Sequence, residues 1–297
     1  MRVVGMGEAT TLQGVRYEMR SLPGSGDKRV NEDYALVSVE DACAVLVDGA
    51  TGLTKANLIA GTSDAAWYAS SLAEACRTRL ADESVATSAA LGDAGREVSG
   101  RYLALPGAAE LRREDLPNGS LAVLRWLRMK LEVTMLGDCT AVLVMRDGTA
   151  RVVHDDLLDA LDQGNYARMF AYATEHGTDM AEARVAINDW FIHNRLKMNQ
   201  PDGYWAADIG CGGFGHELVR TFPLEDVSFA LICSDGCAAA VDMEVADDMV
   251  VLARRVASGD GDALLQELRA AEQADAACWE HPRSKISDDT TYVALWF

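Results

Sequence analysis

The stretch ACAVLVDGATGL, residues 42–53, carries an apolar run, Ala44-Val45-Leu46-Val47, that stops on Asp48-Gly49. Four apolar residues in a row, without polar alternation, read as a short strand covered on both faces. An Asp-Gly behind such a strand is a common turn, and alone it deserves no other reading. The same grammar recurs along the chain. FALICSDG (229–236) is an apolar strand followed by Ser234-Asp235-Gly236, and EVTMLGDC (132–139) closes on Gly137-Asp138. SDDTTYVALWF (287–297) sets Asp288 and Asp289 directly before a strand, and RVNEDYALVSV (29–39) sets Glu32 and Asp33 before another. Each acid alone is a turn or cap residue. Five such places, each at a strand end, are harder to assign to turns.

Outward from these places, strand-like patterning covers 15–20, 34–39, 43–47, 121–126, 131–136, 141–145, 150–153, 219–222, 228–233 and 290–297. Helical periodicity covers 55–80 and 83–103, then 156–200 in two pieces, then 245–277 with a break near 258–261. Residues 105–120 are a turn-rich connection. Strands come in groups with hairpin-like links, and long helices separate the groups. That order predicts an α+β fold of packed antiparallel sheets covered by helices, as one domain over residues 1–297.

Bulk composition narrows the function classes. Asp and Glu number 46 against 27 Lys and Arg, a net charge of −19, so binding to nucleic acid or to an anionic membrane is not expected. No run of about 18 apolar residues suggests a membrane span, and the N-terminus lacks a secretory pattern. Seven cysteines without a C-x-x-C pair fit reduced thiols in a cytoplasm. The oligomeric state is not set by any of this. An anionic substrate would need a local reversal of the field. Carboxylates gathered at strand ends repel and remain ionised together only with a cation. Hard divalent ions, Mg²⁺ or Mn²⁺, take this donor set, and glycine after Asp48 lets the main-chain carbonyl approach. Two ions sharing a water would make a hydroxide nucleophile near neutral pH.

The ordered set Asn31-Glu32-Asp33, Asp48-Gly49-Ala50-Thr51-Gly52, Gly119-Ser120, Gly137-Asp138, Ser234-Asp235-Gly236 and Asp288-Asp289-Thr290-Thr291 resembles the metal-dependent protein serine/threonine phosphatases of the type 2C group, in the form of their bacterial single-domain members. The motifs span residues 29–291; each is short, and their order is the specific part. The resemblance implies a four-layer α-β-β-α sandwich, with two Mg²⁺ or Mn²⁺ ions in a cleft at one end and possible room for a third. Asp48 would bridge the metals, the Gly49 carbonyl would bind one, and Asp235 and Asp288 the other. Glu32 and Asp33 would hold metal-bound waters or bind directly, and Asp138 would help bind the third ion. Water held by the metals would attack the phosphorus of a phosphoserine or phosphothreonine in a protein substrate, without a phosphoenzyme. Arg29, with Lys28 as the alternative, would bind the phosphate, Arg29 being favoured for its forked donors.

Several positions depart from the family pattern. Ala50 stands where well-known members carry a His proposed as a general acid. Ala239 replaces a second Asp that follows the SDG motif, which bears on the third ion. Asp288-Asp289 replaces the usual Asp-Asn, making Asp288 the better ligand and Asp289 the alternative. Two other readings stay open: a phosphatase-fold regulatory or binding module with little turnover, and a metal-dependent phosphatase for a small phosphorylated metabolite. GCGGFG (210–215) matches a dinucleotide-binding spacing but lacks a surrounding βαβ unit. It is expected instead as a loop near the cleft, with NQPDGYW (199–205) beside it offering Tyr204 as a substrate contact and Trp205 as core.

Overall fold

The computed structural model describes residues 14–25, 30–53 and 56–297. The elements along the described chain begin with β1 (Arg16–Leu22), β2 (Tyr34–Ser38), β3 (Cys43–Ala50), α1 (Asp64–Leu80) and α2 (Thr87–Leu103). There follow β4 (Asn118–Leu127), β5 (Lys130–Leu136), β6 (Thr140–Met145), β7 (Ala150–Val153), α3 (Leu157–His176), α4 (Met180–Ala186) and α5 (Asn188–Arg195). The last part holds β8 (Ala207–Asp208), β9 (Leu218–Pro223), β10 (Val227–Cys233), α6 (Asp235–Asp242), α7 (Met249–Ala257), α8 (Gly261–Ala274) and β11 (Thr290–Trp296). One sheet has the order β1-β11-β10-β6-β7, the other β2-β3-β4-β5-β9, with β8 added to β4; every pairing between these strands is antiparallel.

Continuous apolar strands are explained by layers on both sides. In β3, Cys43, Val45 and Val47 pack with Tyr68 and Leu72 of α1 and Leu91 of α2, while Ala44 and Leu46 face the other sheet. In β10, Ala230 and Ile232 enter the same inter-sheet core, and Phe229 and Leu231 meet Leu252 of α7 and Leu264 of α8. The result is the expected α-β-β-α sandwich. Each of these fully buried large side chains contributes about 1.5–3 kcal/mol relative to exposure. Among the described residues no helix is long and apolar enough to cross a membrane.

Several boundaries differ from the sequence reading. The strand does not end at Val47. β3 continues through the acid, pairing Asp48 with Ser120 and Gly49 with Gly119. The close pairing is possible because position 119 has no side chain; a Cβ there would lie 2.3 Å from the Asp48 carbonyl oxygen. Helix α1 starts at Asp64 instead of near 55. Ser63 accepts from the Ala66 N–H at 3.1 Å, and the Asp64 carboxylate takes the N–H groups of Leu58 and Ile59, holding those residues outside the helix. Residues 156–200 form three helices instead of two, whereas the break in 245–277 falls where expected, at Gly259, whose φ of 89° no ordinary helix accommodates. α6 was missed by the periodicity, so Asp235 heads a helix as well as ending a strand connection.

Candidate active site

The strand ends converge. Asp48 and Gly49 near the end of β3, Glu32 before β2, Asp138 after β5, Asp235 after β10 and Asp288 before β11 all line one cleft of about 430 Å³. Local glycines make the approach possible. Beyond β5 the chain turns at Gly137, φ 93°, where a Cβ would sit 2.2 Å from Ser120 Oγ. Ser120 in turn accepts from the Asp138 N–H at 3.1 Å and donates to the Asp138 carboxylate. A Cβ on Gly49 would lie 2.5 Å from the Glu32 carbonyl oxygen, which instead accepts the Gly49 N–H at 3.2 Å. A Cβ on Gly236 would lie 2.0 Å from the Asp289 carbonyl oxygen.

The two adjacent acids before β11 separate by what they touch. Asp289 uses both oxygens on main chain, accepting from Gly24 N–H and Glu32 N–H at 2.7 Å each. It fastens the segment before β2 to the segment before β11. Asp288 faces the cleft and pairs with Lys285. Arg269 supports this turn by donating to the Asp288 carbonyl at 2.8 Å and to Thr290 Oγ1 at 2.9 Å, while pairing with Glu272 at 2.7 Å. Glu32 accepts from Thr51 Oγ1. Asp33 lies behind the cleft wall, 7% exposed, and neither of its oxygens receives a well-directed hydrogen bond. The Thr291 and Ser234 hydroxyls are nonetheless near enough to favour its charged form. Lys28 and Arg29 lie outside the described residues.

This gathering changes the acids' chemistry. Burial first, and then Asp289 and Asp288, push the Asp33 carboxyl up to about 7. Burial raises Asp48, with Asp33, Asp235, Asp138 and Asp288 adding repulsion. Asp235 is raised by the protein packed around it and by Asp288 and Asp138, although its side chain opens to water in the cleft. Asp138 is raised by burial against the opposing Ser120 hydrogen bond. Such a set binds protons or cations, and the orphaned oxygens of Asp33 fit a demand for a positive partner. Among the described residues no three His, Cys, Asp or Glu side chains are close enough to form a cage by themselves. A carbonyl and waters would have to complete the coordination, as hard ions accept.

Sequence reasoning missed the other wall. It is built from α3–α5 and the loop before β11, and brings Asp162, Asn165, Arg184, Asn194, Arg195 and Lys285 to the same cleft. Lys285 had a signal, three positions from Asp288; the arginines had none, since their helices are placed by tertiary packing alone. Tyr204 lines the cleft as expected, and Trp205 lies outside its lining, stacked on His216 with ring centroids 3.4 Å apart. The glycine-rich stretch is not at the cleft. Phe214 packs on Gly95 of α2, and the preceding Ile209 carbonyl accepts from Ser99 at 2.6 Å. Ala50 lines the cleft without a titratable group, and Ala239 lines an adjacent cavity of about 600 Å³ that shares Asp138, Asp235 and Asp288.

No protein-family model matches the sequence, and no curated protein is similar to it. Solved structures do match. A Mycobacterium tuberculosis serine/threonine phosphatase, PstP/Ppp, is 16% identical with a TM-score of 0.53, over 95% of this chain and 98% of that one. The catalytic domain of PstP in complex with two manganese ions gives 16% identity and 0.51, over 95% and 97%. A serine/threonine phosphatase from Staphylococcus aureus gives 13% identity and 0.55, over 100% and 99%. At this identity the likeness establishes the fold: the chain has the two-sheet sandwich of bacterial serine/threonine phosphatases along nearly its whole length.

Proposed function

We propose that the protein is a divalent-metal-dependent phosphatase that hydrolyses phosphoserine or phosphothreonine in proteins. The observation that carries this reading is the convergence of Asp48, Asp138, Asp235 and Asp288 on one cleft, three of them with proton affinity raised by burial and two of these, Asp48 and Asp235, raised further by the other acids. The shared fold with phosphatases, one of them holding two manganese ions, supports it.

In this reading Asp48, the Gly49 carbonyl, Asp235 and Asp288 would hold two Mg²⁺ or Mn²⁺ ions, Glu32 and Asp33 would hold metal-bound waters or bind directly, and Asp138 would help bind a third. Such ions supply Lewis acidity toward phosphoryl oxygens and lower the pKa of water. The chain's own residues set the rest. Glycine at 49 leaves the main chain accessible from the cleft. Asp289 and Arg269 fix the turn that presents Asp288. Ala50 offers no proton, so the departing serine or threonine oxygen would take one from a water or from another donor in the cleft. Arg29 or Lys28 remains the proposed holder of the phosphate.

The test is hydrolysis of an aryl phosphate and of a phosphothreonine peptide, first with chelator and then with Mn²⁺. Manganese-dependent turnover that Asp48→Asn abolishes supports the proposal, and preference for the peptide supports a protein substrate. Turnover indifferent to chelator and to both Asp48→Asn and Asp235→Asn would refute it. Metal binding without turnover on either substrate would favour the regulatory module.

A further inference from the structure

The wall of the cleft built from α3–α5 carries two guanidiniums that form no ion pair among the described residues. Arg184 of α4 lies with its guanidinium carbon 3.6 Å from the centroid of the Phe191 ring and donates to Asn188 at 2.9 Å. Arg195, at the end of α5, donates no side-chain hydrogen bond to any described residue, and its Nη1 is buried without a partner. Neither arginine forms an ion pair with a described acid, in a chain with 19 more acidic than basic side chains. Asp162, which feels the charge of Arg195, makes no ion pair with it; its Oδ1 accepts from Asn165 at 3.1 Å, and Asn165 is itself held by Trp190 and Asn194. Arg184 is also held below its ordinary proton affinity, by burial and then by the charge of Arg195. Two partly buried cations that repel each other, with most of their forked donors unused, constitute a demand for an anion.

That anion is not at the carboxylate floor. The cation felt by Asp235 and Asp48 is Lys285, which is paired with Asp288. The field of Arg195 falls on Asp162, Tyr204 and Arg184 instead. The cleft thus takes positive charge from two different parts of its wall, Lys285 from the loop before β11 and the arginines from α4 and α5. A substrate that sets its scissile phosphate at the floor would direct a neighbouring group toward the arginines. Resting on the phosphatase reading, we propose that Arg184 and Arg195 form a second anion subsite selecting substrates with an additional acidic group, a carboxylate or a second phosphate, flanking the phosphorylated residue. The cleft lining holds six acids, so an acidic flank would otherwise be repelled.

The experiment uses phosphothreonine peptides that differ only in the flanking residues: alanine, glutamate, or a second phosphothreonine. Binding is read by fluorescence anisotropy with Mn²⁺ present, on versions whose phosphothreonine is a non-hydrolysable phosphonate. The acidic and the doubly phosphorylated peptides should bind about tenfold more tightly than the alanine peptide, and raised salt should shrink the difference. The two acidic arms separate a carboxylate source from a phosphate source. In Arg195→Gln and Arg184→Gln the preference should fall below about twofold, with Arg195→Lys restoring part of it. Flank-independent binding by the unaltered protein would overturn the subsite, as would equal loss for all three peptides in the variants. Aryl phosphate turnover is measured in parallel. Flank-dependent binding without turnover would leave the subsite standing and remove the phosphatase reading; turnover with flank-independent binding would do the reverse.

Discussion

Asp33 gives the sharpest physical test of the acid cluster. It is buried, its oxygens lack directed hydrogen bonds, and its carboxyl is pushed up to about 7, from an ordinary aspartate value of about 4. A raised carboxylate means that the folded state binds the proton more tightly than the unfolded chain does. Between about pH 4 and pH 7 the folded state therefore holds more protons, and stability falls as pH rises. The stabilisation is fully present below the unfolded pKa and lost as pH climbs through the folded one. A shift of about three units, at 1.36 kcal/mol each, sets a ceiling on the order of 4 kcal/mol. Water entry and proton sharing with the neighbouring acids would reduce it to as little as ~1 kcal/mol. Asp33→Asn mimics the protonated form at every pH. In chelator the variant should match the unaltered protein near pH 4 and exceed its stability at pH 8 by about 1–4 kcal/mol, seen as a higher urea midpoint. Added Mn²⁺ should narrow or reverse the gap, since the ion gains from the carboxylate that the amide lacks. A variant less stable than the unaltered protein at pH 8 in chelator, or a difference that does not change with pH, would refute this account of the site.

Three other changes follow from close contacts. Gly49→Ala should destabilise by about 1–3 kcal/mol in thermal or urea unfolding, because its Cβ would lie 2.5 Å from the Glu32 oxygen and 3.0 Å from the Ala65 oxygen. Arg125→Met should cost about 2–4 kcal/mol in urea unfolding; the buried guanidinium donates to Val85, Leu80 and Asp82 carbonyls at 2.7–2.8 Å, tying β4 to the end of α1. Arg269→Gln should weaken Mn²⁺ binding, read by calorimetry, by about tenfold while leaving a folded protein, because it loosens the turn that presents Asp288.

The acids and the layered sheets were legible because each leaves a local mark. A strand buried on both faces must be apolar without alternation, as in 44–47 and 229–233, and an acid beside such a strand, ordinary by itself, becomes a signal when five strand ends repeat it. Asp288 and Asp289 show the limit of that signal: adjacent and chemically identical, they divide only through the Gly24 and Glu32 N–H groups that claim Asp289. The continuation of β3 past Asp48 was hidden because it depends on Gly119, 71 positions away, accepting the strand at close range. Arg184 and Arg195 were hidden for a related reason. They are ordinary surface-type residues on short helices, and only the packing of α3–α5 over the cleft gives them a role.

The partnership of β1 with β11 has a bearing on how the molecule comes into being. Ser21 and Thr291, 270 positions apart, meet with their hydroxyls 2.8 Å from each other, and β11 lies between β1 and β10 in its sheet. That sheet is incomplete until β11 has left the ribosome. The entropy of closing so long a loop must be met before the central pairing can form, which predicts slow, late assembly. Asp288 arrives with β11, and Asp289 anchors Glu32 only then. A nascent chain would thus carry most of its acids yet have no assembled cleft until translation had passed β11.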